Sequence, residues 1–376
     1  MLDHTDPNAL IVETARRFAQ ERLAPGAAAR EKAGRIEPEI IRELGEMGFL
    51  GATISAEWDG AEIDMVTYAR VIEEIAAGDG AVSTLVSVHN APTCEILQHY
   101  GTDAQRDEWL RPMASGGAVG SFALTEPGAG SEASGLRTRA VKDGDDYVIT
   151  GSKQFISNAA IGQFTILFAM TDPAAGKKGM SCFITRNDAA GFQVARVEEK
   201  LGQKASDTCH LVFDGLRIPS AQRIGAEGDG YRIALSTLEA GRIGIAAQSV
   251  GMARAALDFA IGYAKDRRSF GKAIIDHQAV GFRLVDAKTK LEASRQLVLN
   301  AARLKDAGQP ALEAAAMAKL FASEAAEAIC SAAIQTLGGY GFLCDYPVER
   351  IYRDVRVCQI YEGTSDIQKI ILQRML

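Results

Sequence analysis

Between Gly120 and Gly228 the chain drops its helical periodicity, and this block most constrains the fold. It is rich in Gly, Thr, Ser, Val and Phe, arranged as short apolar runs between turn residues. Residues 147–150, 164–170, 180–185 and 210–213 read as strands, because β-branched and aromatic side chains suit a pleated surface. Asp143-Gly144 and Asp214-Gly215 are hairpin signals, since Gly accepts the positive φ that tight turns need. Several short strands at this spacing predict a small barrel or sandwich.

Helical patterning lies on both sides. Leu10, Phe18 and Leu23 fall on a stretch stopped by Pro25-Gly26, and Pro38 suits the first turn of a helix that ends at Gly48. Further helices are predicted over 65–77 with Gly78 as the stop, from Pro92 to near Gly101, and from a cap at Asp103 through Trp109 and Leu110. After Gly230 come helices over 231–265, 277–307, 312–337 and 348–360, the material of a four-helix bundle. The predicted architecture is mostly α with a central β domain. An all-helical domain spans 1–118, a β-barrel or sandwich 119–229, and a C-terminal four-helix bundle 230–376.

Composition narrows the function. A formal net charge of −7 argues against nucleic acid, which needs clustered Lys and Arg. The six cysteines include no C-x-x-C pair, which argues against a disulfide framework or a metal site and fits a reducing compartment. Residues 243–264 are the best membrane candidate, but Gln248, Arg254 and Asp258 mark them as a buried bundle helix. Met1–Asn8 lacks the basic start and apolar core of a signal peptide. A cytoplasmic protein without membrane insertion is expected.

Near the C-terminus an acid is followed at once by glycine, at Tyr361-Glu362-Gly363. Gly363 implies a tight turn or a close approach of backbone to something flat. Thr364, Ser365 and Asp366 are good helix caps, so Glu362 is expected on a connection between helices, aimed at its neighbour.

Other stretches point to the same kind of site. In the loop over 122–131, Gly128, Gly130 and Ala133 satisfy the dinucleotide spacing. The residues that follow read as strand and turn, so the required βαβ context is missing. The loop instead offers hydroxyls and free N–H groups to a ring edge or a phosphate. Phe155 and Ser157 share one face of a strand and could stack on, and bond to, a flat cofactor. Glu239 and Arg242 share one helix face in apolar surroundings, so this acid–base pair is expected to line something. Arg267, Arg268 and Ser269, followed by Gln278, could cradle a pyrophosphate. Gln335–Phe342 ends a helix with three glycines, whose backbone can lie flat against a ligand. Taken alone, the loop over 122–131 is met about as well by an ordinary glycine turn, while an ordinary strand pair and a solvated helix end account better for Phe155–Ser157 and for the Arg267–Gln278 stretch.

Together these stretches resemble the acyl-CoA dehydrogenase family. The match runs in order through the whole chain and is most specific at residues 124–131, 268–272, 337–342 and 360–364. The resemblance implies an N-terminal helical domain, a middle β domain and a C-terminal four-helix domain, assembled as a homotetramer with one FAD per subunit. Glu362 would be the catalytic base. Phe122, Leu124, Thr125, Gly130, Ser131, Phe155, Ile156 and Ser157 would hold the isoalloxazine, with Ser157 facing flavin N5. Arg267, Phe270, Gln278, Gln335, Leu337, Gly338 and Gly339 would reach the FAD of a neighbouring subunit, and Thr364 and Asp366 the other end of the cofactor. Ser131, Glu239, Arg242, Tyr361 and Gly363 would contact acyl-CoA.

The implied reaction is α,β-dehydrogenation of a short- to medium-chain, straight or branched acyl-CoA to the trans-2-enoyl thioester, with electrons passed to an electron-transferring flavoprotein. Burial should raise the Glu362 pKa toward the working range, about 6–7. Gly241 stands where isovaleryl-type members carry their base, so Glu362 must serve. Ser83 stands where glutaryl-type members carry an Arg, which argues against a dicarboxylic substrate. Two other readings stay open: a flavin oxidase or monooxygenase on the same scaffold, and a non-catalytic helical binding protein.

Overall fold

Local signals decide most of the helix boundaries. The structure is a computed structural model that describes residues 7–376; Met1–Asp6, part of the leader segment judged above, lie outside the described residues. The N-terminal helices are α1 (Pro7–Phe18), α2 (Ala27–Ala33), α3 (Pro38–Glu46), α4 (Met65–Gly78), α5 (Gly80–Val88), α6 (Glu95–Tyr100), α7 (Asp103–Gln105) and α8 (Arg111–Ala114). Pro38 does open α3, at a position that needs no N–H donor.

Three local expectations shift. Pro25-Gly26 is a 3-10 joint that leads into α2 rather than a stop. Pro92 lies inside a π-helical turn over 89–94, where Ala91 leaves helical φ/ψ because a residue before Pro avoids that region. Thr102, not Asp103, is the cap: its hydroxyl accepts the Gln105 N–H at 3.2 Å while the Gln105 side chain accepts the Thr102 N–H at 3.0 Å.

The middle of the chain forms β1 (Gly120–Ala123), β2 (Arg139–Asp143), β3 (Asp146–Ser157), β4 (Phe164–Met170), β5 (Met180–Arg186), β6 (Phe192–Val197), β7 (Thr208–Pro219) and β8 (Arg223–Ile224). They make one sheet in the order β6-β7-β3-β2-β4-β5-β8, with β1 paired parallel to β4. Strand β4 is buried along its whole length. Phe164, Ile166 and Phe168 face a cluster with Trp109 and Leu110, while Leu167 and Ala169 face the sheet's own core.

Asp143-Gly144 forms the β2–β3 hairpin, with Gly144 at φ 62°. Asp214-Gly215 does not turn the chain. Ile149 pairs with Leu216 and Gly151 with Phe213, so the two residues bulge inside β7 opposite Thr150. The positive φ of Gly215 serves a bulge as well as a turn, which is why the dipeptide misleads.

The C-terminal part comprises α9 (Gly230–Asp266), the short pair β9 (Arg268–Ser269) and β10 (Lys272–Ala273), α10 (Gln278–Asp306), α11 (Leu312–Leu337), α12 (Pro347–Val355) and α13 (Ser365–Gln373). The fourth bundle helix, α12, ends at Val355 and gives way to a 3-10 turn over 356–359, short of the expected residue 360. Helix α4 also packs against α9 and α10. Small residues allow this: a Cβ on Gly251 of α9 would sit 2.2 Å from the Glu73 carbonyl of α4. One hydrophobic core therefore runs from Val71 and Ile75 through Ile243 and Val250 to Leu291 and Ile329. Among the described residues, no helix is long and apolar enough to cross a membrane.

A buried ion pair ties the N-terminal helices to each other. Arg30 is 2% exposed, and its Nε lies 2.7 Å from Asp79 Oδ2. The other oxygen of Asp79 caps α5 by accepting from the Ala81 and Val82 N–H groups at 2.9 and 3.3 Å. Asp79→Ala removes the cap and leaves the buried guanidinium only the Leu23 carbonyl and the Glu37 carboxylate at 3.6 Å, so urea unfolding is expected to show a loss of about 3 kcal/mol. A loss under about 1 kcal/mol, the range of an exposed pair, would show that Arg30 finds another partner.

Candidate active site

Glu362 sits on the joint between the 3-10 turn after α12 and the start of α13, as its sequence context predicts. Glu362 and Gly363 both have positive φ, 54° and 89°. A glutamate pays a steric cost there, so the surroundings must hold it. Gln368 of α13 donates Nε2 to the Glu362 carbonyl at 3.1 Å and to the Gly363 carbonyl at 2.9 Å. Lys319 of α11, fully buried, donates Nζ to the Gly363 carbonyl at 2.7 Å. A Cβ at 363 would lie 2.8 Å from Gln368 Nε2, so the turn requires glycine on two counts. Thr364 caps α13, its hydroxyl accepting the Ile367 N–H at 3.3 Å.

The side chain of Glu362 points at α9. A Cβ on Gly241 would come within 2.8 Å of Glu362 Oε2 and 3.0 Å of Cδ. Although the residue as a whole is only half-buried, Oε2 has no accessible surface and no hydrogen-bond partner. Burial pushes the Glu362 pKa up to about 7, against the pull of the Arg242 and Lys319 cations. Arg242 is 5% exposed, its Nε also lacks a partner, and burial lowers its own pKa.

Glu239 and Arg242 lie three residues apart on α9, as read from the sequence, and have different neighbours. Glu239 Oε1 lies 3.9 Å from Lys305 Nζ, and Arg242 is turned into the buried space near Glu362. Spacing places two side chains on one face but does not choose their partners.

Two turns along α9 from Gly241, a buried polar network takes in Tyr361, the residue before Glu362. Tyr361 donates its hydroxyl to Gln248 Oε1 at 2.6 Å, and Gln248 Nε2 donates to Gly80 O and Thr84 Oγ1 at 2.9 and 2.6 Å. Thr84 donates to Gln203 Oε1 at 2.5 Å, and the Gln203 N–H donates to Asp354 Oδ1. Burial raises the Asp354 pKa to about 7. Gly241 and Gln248 are seven residues apart on α9, about 10 Å along the helix axis at about 1.5 Å per residue.

The loop over 122–131 and the strand β3 lie on the β domain. Phe122 is half-buried and meets Phe168 edge-on at 5.2 Å, while Gly130 and Ser131 are exposed. Leu124 is 8% exposed; its carbonyl accepts from Lys153 Nζ at 3.0 Å, and the Thr125 carbonyl accepts the Gln154 N–H at 2.8 Å. Lys153 is fully buried and also reaches Glu126 Oε1 at 2.8 Å, so this pair fixes the loop from beneath. A bulge between Lys153 and Ile156 puts Phe155 at φ 62° and leaves it 64% exposed. Ser157 stays partly accessible beside it, whereas the Ile156 side chain is 2% exposed in the sheet core and can offer only backbone.

A second patch lies elsewhere on the bundle. Tyr263, Arg267, Ser269, Ile274, Gln335, Leu337, Gly338, Gly339 and Tyr340 line a cavity of about 420 Å³. Gly338 has φ 62°, and a Cβ on it or on Gly339 would meet nothing within 4 Å. The Leu337 side chain is buried. Phe270, Gln278 and Asp366 are exposed; Phe270 follows the cavity-lining Ser269, and Gln278 opens α10 four residues after the cavity-lining Ile274. An exposed aromatic beside an unobstructed glycine loop, and a glycine-floored cavity flanked by Arg267, fit a flat ring system and a pyrophosphate.

Fold and site thus combine an enclosed carboxylate with surfaces that fit a flat cofactor, the make-up of a cofactor-dependent oxidoreductase. The chain belongs to the acyl-CoA dehydrogenase family. It matches the family's N-terminal domain over residues 5–117, its middle domain over 121–216 and its C-terminal domain over 228–376. The short-chain specific acyl-CoA dehydrogenase of Clostridium acetobutylicum is 40% identical, with 96% of each chain covered. Butyryl-CoA dehydrogenase from Megasphaera elsdenii superposes with a TM-score of 0.97 at 38% identity, covering 100% of this chain and 99% of that one. A chain in the structure of the electron transferring flavoprotein of Acidaminococcus fermentans superposes equally well, TM-score 0.97 at 40% identity, with 100% and 99% covered. The protein is an FAD-dependent acyl-CoA dehydrogenase.

Lys319, Gln368, Gln248 and the Lys153–Glu126 pair escape the sequence reading. Lys319 left a trace, a lone cation on the apolar helix face of Ala315, Ala318 and Ala322. The contact between Gly241 and Glu362 yields a test. Gly241→Ala is expected to keep the fold, because only a side-chain tip must move, yet to slow substrate-driven flavin bleaching by about 10²-fold, the effect of displacing a reacting group by about 1 Å. Bleaching at the parent rate would show that the carboxylate works from another position.

Proposed function

We propose that Glu362 abstracts the α-proton of a short acyl-CoA, straight or branched, as the β-hydride leaves, giving the trans-2-enoyl thioester. The observation that carries this reading is the enclosed, unpartnered Oε2 of Glu362 above Gly241. A carboxyl lifted to about 7 by burial is a competent base near neutral pH. Its charged form has no hydrogen bond to give up before it takes the proton. The likeness to a short-chain specific acyl-CoA dehydrogenase, 40% identical with 96% of each chain covered, supports a short acyl group. The Glu362 N–H, held by the locked turn, would donate to the thioester oxygen as negative charge develops there.

FAD, when bound, supplies the hydride acceptor. We assign its ring to the loop over 122–131 and to Phe155–Ser157, and its diphosphate end to the cavity floored by Gly338 and Gly339, with Arg267, Phe270, Gln278 and Gln335 around it and Thr364 and Asp366 toward the other end. That cavity would serve the cofactor of a second copy in a homotetramer. Exposed Phe270, Phe282, Val285 and Phe342 support burial against other copies. The similarity to a chain found with an electron transferring flavoprotein supports such a protein as the electron acceptor. Free cysteines fit a reducing, cytoplasmic setting.

Anaerobic bleaching of the flavin by acyl-CoA tests the reading. Glu362→Gln is expected to keep FAD and to lose about 10²–10⁴-fold in bleaching rate. In the parent the rate should rise with pH and level off above about 7, since the base acts deprotonated and its pKa is raised. Near-parent bleaching by Glu362→Gln would refute the assignment. Across straight and branched thioesters, butyryl-length chains should react fastest; a preference for octanoyl-CoA would overturn the short-chain reading.

A further inference from the structure

We propose that Lys319 is a positioning residue for Glu362: it latches the turn that carries the base, and its cation sets the pH range over which the carboxylate is free. This rests on the reading of Glu362 as the base. Lys319 lies on a face of α11 built from Ala315, Ala316, Ala318 and Ala322, all at or near full burial. An ammonium in such a wall costs free energy unless it is bonded. Among the described residues it bonds no carboxylate; its hydrogen bond goes to the backbone carbonyl of Gly363, at 2.7 Å. That carbonyl follows the Glu362–Gly363 peptide, where two consecutive positive φ values would relax if released. Gln368 holds the same carbonyl and that of Glu362, so the turn is gripped from α11 and α13 together.

The second half of the role is electrostatic. Glu362 is faced by Arg242 from α9 and Lys319 from α11, and both hold its pKa below the value that burial alone would set. Tyr68 of α4 senses the Glu362 charge but stays neutral, its pKa driven up by burial. Lys319 itself faces Cys358, Glu362, Arg242 and Glu324, and burial brings its pKa down to about 8, so it is a cation at neutral pH. Arg242 contributes charge without gripping the turn; Lys319 contributes both. A cation favours the charged carboxylate, so removing it must raise the Glu362 pKa.

The test uses the FAD-loaded enzyme with two substitutions that separate the roles. Lys319→Met removes charge and latch, and Lys319→Arg keeps the charge in the wrong shape. Bleaching by butyryl-CoA is followed across pH, and the Glu362 carboxyl is titrated without substrate by its infrared C=O band, identified by its loss in Glu362→Gln. Lys319→Met should move both titrations up by about one pH unit and slow bleaching at neutral pH by more than tenfold. Lys319→Arg should leave the titration in place and still slow bleaching by about tenfold. Should Lys319→Met fail to fold, Lys319→Gln decides, since a neutral amide can still donate to Gly363 O: it should shift the titration and retain most of the rate at high pH. An unshifted titration in the neutral variant overturns the proposal. If Glu362→Gln itself bleaches normally, the underlying reading fails instead, so the two failures are distinguishable.

Discussion

An enclosed carboxylate without a hydrogen bond is the constraint to which the rest of this structure answers. Burying Glu362 Oε2 is costly, and the cost shows as a pKa near 7 rather than near 4.5. Two cations keep the charged form accessible without pairing to it directly. A closer pairing would make the base too weak, and their absence would keep it protonated. The glycine at 241 then supplies the one thing a side chain there would remove, space for the carboxylate against α9.

Keeping a strained turn in place calls for a rigid frame, and the shared core provides it. Helices α4, α9, α10 and α11 belong to one hydrophobic cluster although α4 comes from the first third of the chain. Glycine lets α9 approach α4 closely, and the Thr84–Gln203–Asp354 links tie α5, the segment before β7 and α12 around one buried polar node. Satisfied networks of this kind specify a single arrangement more than they add stability. The same node reaches Tyr361, the residue before Glu362, so it also steadies the turn that carries the acid.

Much of this is legible in the residue types alone. The helix–strand–helix order, the spans of α9, α10 and α11, the Asp143-Gly144 hairpin and the Glu362 turn with its Thr364-capped helix all follow from local chemistry. The misreadings share a cause. Asp214-Gly215 needs positive φ in a bulge just as in a turn, and Thr102 and Asp103 are both good caps until hydrogen bonds choose one. Glu239 and Arg242 share a helix, yet the charges nearest them include residues remote in sequence, Lys305 for the one and Glu362 for the other.

The order of residues dictates conformations that depend on near neighbours: glycine after the acid, a hydroxyl to cap the next helix, small residues where helices must touch. Those are short-range steric and hydrogen-bonding matters, and they are written in the residue types. It could not dictate that Lys319 grips a carbonyl 44 positions away or that Gln248 meets Tyr361. Such meetings depend on how whole helices cross, and electrostatics in a low-dielectric interior depend on distance through space rather than along the chain. The position of the acid is therefore local information, and its raised pKa is a property of the assembled fold.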